Sequence, residues 1–197
     1  MAHSIACDPA RERSKTALRK ALLATRQQLA DDHLRNTRLS DHIVSLLVAR
    51  APKCVGAYWP IAGEFDIRPA LIQWFTARND ADAALPVITS RNGPMVFHRW
   101  RPGDPVREGQ FRIPVPQAEV VIEPDLLLIP CVGIDDSRFR LGYGGGFYDR
   151  TLAAFDARGE ARPFTVGVAF DAGRIDAIPR EMHDIALDMA VTESGIW

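Results

Sequence analysis

Apolar and polar residues follow two spacings along the chain, and together they predict alternating helices and strands. Apolar positions three and four residues apart, such as Leu39, Ile43, Leu46 and Leu47, are typical of one face of a helix. N-cap residues and prolines mark where such stretches begin and end. The predicted helices run from about Ser14 to about Leu29, from Asp31–Asp32 to just before Pro52, over Ile67–Arg78 behind Asp66 as N-cap, and from a glycine-rich segment to about Phe155.

Short apolar runs between the helices predict strands. They cover Cys54–Pro60, Ala84–Ile88, Met95–Trp100, Leu126–Pro130, Phe164–Phe170 and Leu187–Thr192. The entirely apolar run Leu126–Pro130 is typical of a strand buried on both faces, whereas the stretch from Arg101 to Pro124, rich in Pro and Gly, predicts irregular structure. Strands alternating with helices predict an α/β domain with a largely parallel sheet. In such sheets ligands bind beyond the C-terminal ends of the strands.

The composition narrows the class of protein. With 197 residues, 47% of them hydrophobic and 25% charged, the chain is typical of a folded globular protein. We expect residues 1–10 to form a flexible tail and residues 11–197 to form one domain. The chain has no apolar run that could span a bilayer, and its three cysteines are far apart. We expect no secretory signal, because the first residues have no apolar stretch behind a basic start. These features predict a cytoplasmic protein with no membrane partner.

Positive charge is concentrated in the first predicted helix. The net charge of the whole chain is −1, yet residues 1–50 carry an excess of Lys and Arg. Lys15, Arg19 and Arg26 fall within about 40° of one another around a helix, beside its apolar face. Such a row can line a cleft and hold a phosphate, or it can extend around the edge of a buried helix. A nucleic-acid-binding surface over Arg11–Arg26 is a further alternative, which the net charge disfavours.

A glycine-rich loop, RFRLGYGGGFYDR at residues 138–150, is the strongest local signal. Gly142, Gly144, Gly145 and Gly146 let the backbone approach a ligand closely and turn its N–H groups toward an anion. The predicted helix behind the loop favours negative charge at its N-terminus. The spacing is neither that of a dinucleotide fingerprint nor that of a Walker loop, but it predicts phosphate or nucleotide binding. Asp149 can ligate Mg²⁺ carried by a nucleotide or cap the helix.

The segment IPCVGIDDSRFRLGYGGGFYDRTL resembles the signature of the 5-formyltetrahydrofolate cyclo-ligases, also called 5,10-methenyltetrahydrofolate synthetases. Other segments resemble the same family in the same order along nearly the whole chain. They are SKTALRKALLATRQQL with its KxxxR pair at Lys15 and Arg19, WPIAGEFDIRP with Glu64, GQFRIPVP, and the C-terminal HDxxLDxxxT pattern at His183, Asp184, Leu187, Asp188 and Thr192.

The resemblance implies a three-layer α/β/α domain related to the sugar-phosphate isomerase and CoA-transferase type. It implies an enzyme that converts 5-formyltetrahydrofolate to 5,10-methenyltetrahydrofolate with ATP and Mg²⁺, releasing ADP and phosphate. ATP would be bound by Lys15, Arg19, Arg140, Leu141, Gly142, Tyr143, Gly144, Gly145, Gly146, Phe147 and Tyr148. Of these residues, Lys15, Arg19, Arg140 and Tyr148 would act in catalysis. The folate would contact Trp59, Glu64, Tyr143, Gly144, Gly145, Gly146 and Phe147, and the metal would be held by Asp149 and Asp184.

Three departures from the family pattern keep an alternative open. Val115 stands where the family has the glutamate of its GIxEP segment, and Arg112 stands where it has the glycine. The region Asp171–Arg174 lacks the usual glutamine, and Gly145 replaces the lysine of some members. These changes permit a diverged ATP-binding paralog that acts on another N-formyl or phosphorylated substrate. In either case we expect a monomer that acts on small molecules and binds no nucleic acid.

Other chemically active residues give weaker signals. Cys131 at a strand end is expected to be a buried, inert thiol, because no basic partner is evident near it. His183 and Asp184 can form an acid–base pair or play surface and capping roles, and Trp59 can contact a ring system or belong to the core. The chain has no zinc-protease or serine-hydrolase motif.

Overall fold

The computed structural model describes residues 9–29, 32–182 and 184–197, with only the backbone described for residues 9–13. Its four helices are α1 (Pro9–Gln27), α2 (His33–Arg50), α3 (Arg68–Ala77) and α4 (Phe147–Ala157). The strands are β1 (Cys54–Gly56), β2 (Asp82–Val87), β3 (Val96–Arg99), β4 (Val106–Glu108), β5 (Pro114–Pro116), β6 (Leu126–Pro130), β7 (Gly133–Asp135), β8 (Arg140–Leu141), β9 (Phe164–Val168), β10 (Arg174–Ile175), β11 (Met189–Thr192) and β12 (Gly195–Ile196).

Seven strands form the central sheet, in the order β12-β11-β9-β6-β1-β2-β3. The five inner strands are parallel to one another, and β3 and β12 add antiparallel edges. This confirms the predicted α/β fold with a largely parallel sheet. From β1 the chain adds β2 on one side and later β6 on the other, so the order of strands reverses between β1 and β6. Such a reversal is where open α/β sheets bind ligands.

Helices cover both faces of the sheet, which gives the three-layer architecture. Side chains of β6 alternate between the faces, because successive residues of a strand point in opposite directions. Leu126 and Leu128 pack with α2 and α3, whereas Leu127 and Ile129 pack on the other face with Leu152 of α4. The prediction that this strand is buried on both faces is therefore confirmed. A third, smaller cluster holds α1 against the region after β6 through Leu22, which packs with Val132 and Leu141.

The ends of several elements differ from the predictions. Helix α1 begins at Pro9 rather than near Ser14, so the last two residues of the predicted tail are helical, and the first eight lie outside the described residues. Helix α2 begins where predicted, next to Asp32, which caps it by accepting a hydrogen bond from the Arg35 N–H. The predicted N-cap of α3 was wrong by one residue. Ile67 occupies that position, and the Asp66 carboxylate accepts the Arg68 N–H instead.

Two features were missed in segments without a clear pattern. The stretch from Arg101 to Pro124 contains the β4–β5 hairpin and a short 3₁₀ turn, Gln110–Arg112, so the prediction of irregular structure there was partly wrong. Between β6 and the glycine loop, β7 and β8 join β10 in a three-stranded sheet. Strands of two or three residues are too short to show a period. None of the described helices has the length and apolar character that crossing a membrane requires.

Candidate active site

A cleft of about 700 Å³ lies beyond the C-terminal ends of β1, β2 and β6, at the reversal of strand order. Every residue that the sequence predicted for the site lines this one cleft. They are Lys15, Arg19, Trp59, Glu64, Arg140, Leu141, Gly142, Tyr143, Gly144, Gly145, Gly146, Phe147, Tyr148, Asp149 and Asp184. They come from α1, the segment after β1, β8 with the glycine loop, and the segment before β11. The structure thus brings the set together, while the role of each residue stays a prediction.

Three cations form what we call the cationic wall: Lys15, Arg19 and Arg140. Helix α1 presents Lys15 and Arg19 to the cleft, which favours the cleft-lining interpretation of its charged row over the nucleic-acid surface. Each cation already has a protein partner. The Lys15 Nζ donates to Glu181 Oε1 at 2.9 Å and Asp184 Oδ2 at 2.8 Å. The Arg19 Nε donates to the Gly142 carbonyl at 2.7 Å, and an Arg140 Nη2 lies 2.8 Å from Asp149 Oδ1.

Lys15 is held as a buried ammonium. Burial by itself lowers the pKa of Lys15, but the hydrogen bonds to Asp184 and Glu181 outweigh that effect and raise the pKa above its ordinary value. Lys15 therefore stays charged throughout the physiological pH range. Glu181 could not be predicted from the sequence. It lies close to Asp184 along the chain, but it belongs to no pattern that indicates a role.

The glycine loop adopts backbone conformations that other residues rarely take. Gly144 has φ +90° and Gly146, the N-cap of α4, has φ +64°. A Cβ atom on Gly144 would lie 3.4 Å from the Arg19 guanidinium, and one on Gly146 would lie 2.8 Å from Arg150 Nη1. The positive φ angles of the turn therefore favour glycine at both positions, and the side-chain ends of Arg19 and Arg150 lie next to them.

The predicted metal ligands fit a magnesium ion that arrives with phosphates. Asp149 lies in the first turn of α4 and pairs with Arg140, and Asp184 pairs with Lys15. Among the described residues, no three His, Cys, Asp or Glu side chains gather into a ready-made metal site. Magnesium in nucleotide sites takes one or two carboxylates and completes its shell with phosphate oxygens and water. Two carboxylates in the same cleft as three cations match that donor set.

Glu64 lies in the same cleft with both carboxylate oxygens occupied. Oε1 accepts the Tyr143 hydroxyl at 2.9 Å, and Oε2 accepts the Ile61 N–H at 2.9 Å. Burial raises the pKa of Glu64, although the Ile61 and Tyr143 hydrogen bonds and the Arg26 charge offset part of that rise. Burial and the nearby Glu64 also raise the pKa of Tyr143. The Tyr143 hydroxyl is therefore protonated and acts as the donor.

Arg26 completes this group, although it does not line the cleft. Its Nη2 donates to the Tyr143 hydroxyl and to the Ala62 carbonyl, the latter at 3.1 Å. The arginine is almost fully buried and lies 5.6 Å from the centre of the Tyr143 ring. The charged row of α1 thus serves two purposes. Lys15 and Arg19 line the cleft, whereas Arg26 supports Tyr143 and Glu64 from behind.

The sequence missed an apolar side of the cleft, which we call the apolar wall: Ile88, Met95, Phe111, Ile113 and Val115. Phe111 is 60% exposed, unusual for a phenylalanine, and its ring lies 6.0 Å from that of Phe147 in the glycine loop. An apolar cleft with a few polar groups is the usual form of a small-molecule site. The only sequence signal was the departure from the family pattern at Arg112 and Val115.

The structure explains why the family has a glycine at the position of Arg112. Phe111 and Arg112 both have positive φ, +56° and +59°, in the left-handed region that favours glycine. The turn is therefore kept although the residue that would adopt it freely is absent. Val115, in the same segment, is buried, with only 4% of its surface exposed.

Three other sequence interpretations can be compared with the structure. Cys131 is buried, and burial raises the pKa of its thiol to about 12, which confirms an inert cysteine. The position of Trp59 is compatible with both interpretations, and its contact with a substrate ring stays a prediction. Its ring lines the cleft and packs edge-on against Trp100 at 5.9 Å. His183 lies outside the described residues, so its predicted pairing with Asp184 stays a prediction.

Comparisons with known proteins agree with the resemblance seen in the signature. The family model of the 5-formyltetrahydrofolate cyclo-ligases matches residues 11–193. The 5-formyltetrahydrofolate cyclo-ligase of Haemophilus influenzae is 31% identical over 186 residues, which cover 90% of this chain and 94% of that protein. The protein of the same name from Mycolicibacterium smegmatis is 32% identical over 195 residues, covering 91% and 94%.

A solved structure gives the same result for the fold. The NMR structure of 5,10-methenyltetrahydrofolate synthetase from Aquifex aeolicus superimposes with a TM-score of 0.73 at 28% identity, covering 92% of this chain and 91% of that one. The match of the family model over almost the whole chain, the two relatives and the shared fold lead to one conclusion. The chain belongs to the 5-formyltetrahydrofolate cyclo-ligase family and is a ligase.

Proposed function

We propose that the protein converts 5-formyltetrahydrofolate to 5,10-methenyltetrahydrofolate with ATP and Mg²⁺ and releases ADP and phosphate. The observation that carries the proposal is the convergence on one cleft of three cations, a glycine loop at a helix N-terminus, two carboxylates and Glu64. The cations and the N–H groups of the loop suit a triphosphate. Glu64 and the apolar wall beside them suit a flat ring system with a polar edge.

The chemistry explains why such a set is needed. A formamide is a poor electrophile because its nitrogen lone pair feeds the carbonyl, and the formyl oxygen leaves badly as hydroxide. If that oxygen attacks the γ-phosphorus, ADP leaves and the carbon becomes activated. N10 then attacks the carbon and loses its proton to water, and the C–O bond breaks as the oxygen departs with phosphate. Phosphoryl transfer asks the protein mainly for positioning and charge stabilisation, and no protein nucleophile takes part.

Each predicted residue has a part in this scheme. Lys15, Arg19 and Arg140 compensate the charge of the phosphates, and the N–H groups of the glycine loop donate to phosphate oxygens. Tyr148, whose ring lies 5.7 Å from the Arg140 guanidinium carbon, packs beside the reacting groups. Glu64 binds the amino-pyrimidine edge of the pterin, and Trp59 contacts the ring system.

Asp149 and Asp184 would hold Mg²⁺ together with the nucleotide. An ion held there would supply positive charge that offsets the negative charge developing on the phosphates. In the structure Asp149 pairs with Arg140 and Asp184 pairs with Lys15, so the carboxylates that would hold the ion lie directly beside two of the cations that would face the phosphates.

The test is formation of the methenyl chromophore from 5-formyltetrahydrofolate, followed by ultraviolet absorbance with and without MgATP. We expect product only with MgATP, with one phosphate released for each product. Asp149→Ala should abolish turnover. Arg158→Ala, which removes an exposed ion pair at the far end of α4, is the matched control and should keep it. Product formed without ATP would contradict the proposal. Full activity in Asp149→Ala would contradict its metal assignment.

A second candidate rests on Val115. A buried valine lines the cleft where the family has a glutamate, so a paralog with a different second substrate, another N-formyl or phosphorylated compound, is the alternative. It predicts that MgATP binds but 5-formyltetrahydrofolate is not turned over. The monomeric state, the cytoplasmic location and the absence of a nucleic-acid partner stay predictions.

A further inference from the structure

The glycine loop contacts Glu64 directly through Tyr143, so the two proposed binding functions of the cleft share one residue. The Tyr143 hydroxyl donates to Glu64 Oε1, and the Glu64 Oε2 is held by the Ile61 N–H. Each Glu64 oxygen thus accepts one hydrogen bond from the protein, and the carboxylate keeps further acceptor positions. The Tyr143 hydroxyl takes one position on Oε1, so a folate whose amino-pyrimidine edge approaches that oxygen competes with a side chain there, whereas the Ile61 bond is formed by backbone that anchors the same turn.

The position of Tyr143 is in turn tied to Arg19. The Arg19 Nε donates to the carbonyl of Gly142, the residue before Tyr143, at 2.7 Å. On the other side of Tyr143, the α-carbon of Gly144 faces the Arg19 guanidinium so closely that a Cβ would lie 3.4 Å from it. A triphosphate attracts that guanidinium more strongly than a neutral carbonyl does. When Arg19 turns to a phosphate, the contact that fixes the loop beside Tyr143 is lost.

We propose that the Tyr143 hydroxyl occupies the folate-binding oxygen of Glu64 until the nucleotide draws the glycine loop away, so that MgATP binding increases the affinity for the folate. Tyr143 is thus a positioning residue that links the two substrates. This inference rests on the proposed function. Arg26, which bonds both the Tyr143 hydroxyl and the Ala62 carbonyl, stabilises the arrangement without nucleotide.

The chain is built to allow such a movement. Tyr143 is 41% exposed and is flanked by Gly142 and Gly144, so it can leave Glu64 without disturbing the core. Since binding free energies are reciprocal, the folate must also increase the affinity for MgATP by the same factor. A hydrogen bond to a charged group corresponds to about a tenfold change in affinity, and that sets the expected size of the effect.

The experiment measures 5-formyltetrahydrofolate affinity by calorimetry, without nucleotide and with a non-hydrolysable MgATP analogue. In the wild type we expect the analogue to tighten folate binding about tenfold. Tyr143→Phe removes only the hydroxyl, so it should tighten binding without nucleotide by a similar factor and abolish most of the effect of the analogue. In a Glu64→Gln background the Tyr143→Phe change should have a much smaller effect.

Tyr58→Phe is the matched control. The Tyr58 hydroxyl, in the same cleft, bonds the Phe65 carbonyl and not Glu64, so its removal should leave the ratio of the two affinities unchanged. If Tyr143→Phe leaves folate affinity without nucleotide unchanged or weakens it, while the wild type still makes product, the link through Tyr143 is wrong and the proposed function stands. If the wild type neither binds nor converts the folate, both fail together.

Discussion

The cationic wall and the apolar wall of the cleft differ in how firmly the protein holds their side chains. Lys15, Arg19 and Arg140 are each fixed by a carboxylate or a carbonyl of the protein itself. Phe111, in contrast, is 60% exposed at a turn with positive φ angles, and its ring lies 6.0 Å from that of Phe147 in the glycine loop. A charged group is costly to leave without a partner, so the cationic wall needs substitute ligands until phosphates arrive. An apolar wall needs none.

This difference implies that the two walls fail in different ways. A change at Lys15 or Arg140 breaks an ion pair with a carboxylate of the cleft, and a change at any of the three cations removes a proposed contact to the phosphates. A change in the apolar wall alters packing and shape. Variants in each wall should therefore show different losses, and the largest is expected in the cationic wall.

Arg140→Ala should give the largest loss of activity. Arg140 is 6% exposed and pairs with Asp149, so its removal takes away a phosphate contact and leaves a predicted metal ligand without its cation. We expect kcat/KM to fall about 100-fold or more. Arg158→Ala removes an arginine of comparable chemistry whose side chain is 43% exposed and should retain normal kinetics. Equal losses in the two variants would mean that the effect is not specific to the cationic wall.

Gly144→Ala tests whether the loop needs its left-handed turn. Alanine at φ +90° is strained by about 1–2 kcal/mol, and its Cβ would be in van der Waals contact with the Arg19 guanidinium at 3.4 Å. We expect nucleotide affinity, measured by calorimetry, to weaken about tenfold. Gly103→Ala is the control, because Gly103 has φ +101° with open space around it and lies outside the cleft. It should lose stability but bind the nucleotide normally.

These two variants also show which part of the site the sequence could predict. The glycine loop and the β6 strand lie in continuous segments with clear patterns, and the helical spacing of α1 placed Lys15 and Arg19 on one side. The apolar wall could not be predicted, because Ile88, Met95 and Phe111 come from separate segments without a shared period. The bond between Arg26 and Tyr143 joins residues 117 positions apart, and no local pattern records such a contact.

The same contrast holds for the fold. Strands of five or six residues in the sheet, such as β6 and β9, were predicted from their apolar runs. The small sheet of β7, β8 and β10 was missed, because its strands have two or three residues each. Their positions depend on packing against α1 through Leu22 and Leu141 rather than on local propensity.

Val115→Glu should sharpen the contrast by placing a charge in the apolar wall. Val115 is 4% exposed, so the new carboxyl would be buried and its pKa raised. A group with a raised pKa in the folded state binds more protons when folded, so the variant should lose stability as pH rises. We expect a loss of about 1–3 kcal/mol in free energy of unfolding at pH 8 and a smaller loss at pH 5, measured in urea.

Val115→Gln is the control for this experiment. Its side chain has nearly the same size but does not titrate, so its stability relative to the wild type should not change between the two pH values. If Val115→Glu is as stable as the wild type at both, the position is solvated and the departure from the family pattern is neutral.

The smallest effect concerns pH. Burial raises the pKa of Glu64 above its ordinary value, and the ionised carboxylate is the form that binds the amino-pyrimidine edge. The kcat/KM for the folate should therefore fall several-fold on the acidic side of neutrality, because that ratio reports the ionisation of the free enzyme. Nucleotide affinity should not follow this profile, and Glu64→Gln should remove it. A profile unchanged by Glu64→Gln would assign the titration to another group.

The most direct test of the account is to measure the two ligands separately in two variants. Calorimetry of wild type, Arg140→Ala and Glu64→Gln with MgATP alone and with 5-formyltetrahydrofolate alone decides whether the cleft has two functions. We predict that Arg140→Ala weakens MgATP binding and leaves folate binding unchanged, and that Glu64→Gln weakens folate binding, while still allowing it to be measured, and leaves MgATP binding unchanged. If either variant, with its fold intact, loses binding of both ligands, the cleft does not have two separate functions. The same holds if Arg140→Ala affects the folate and Glu64→Gln affects MgATP.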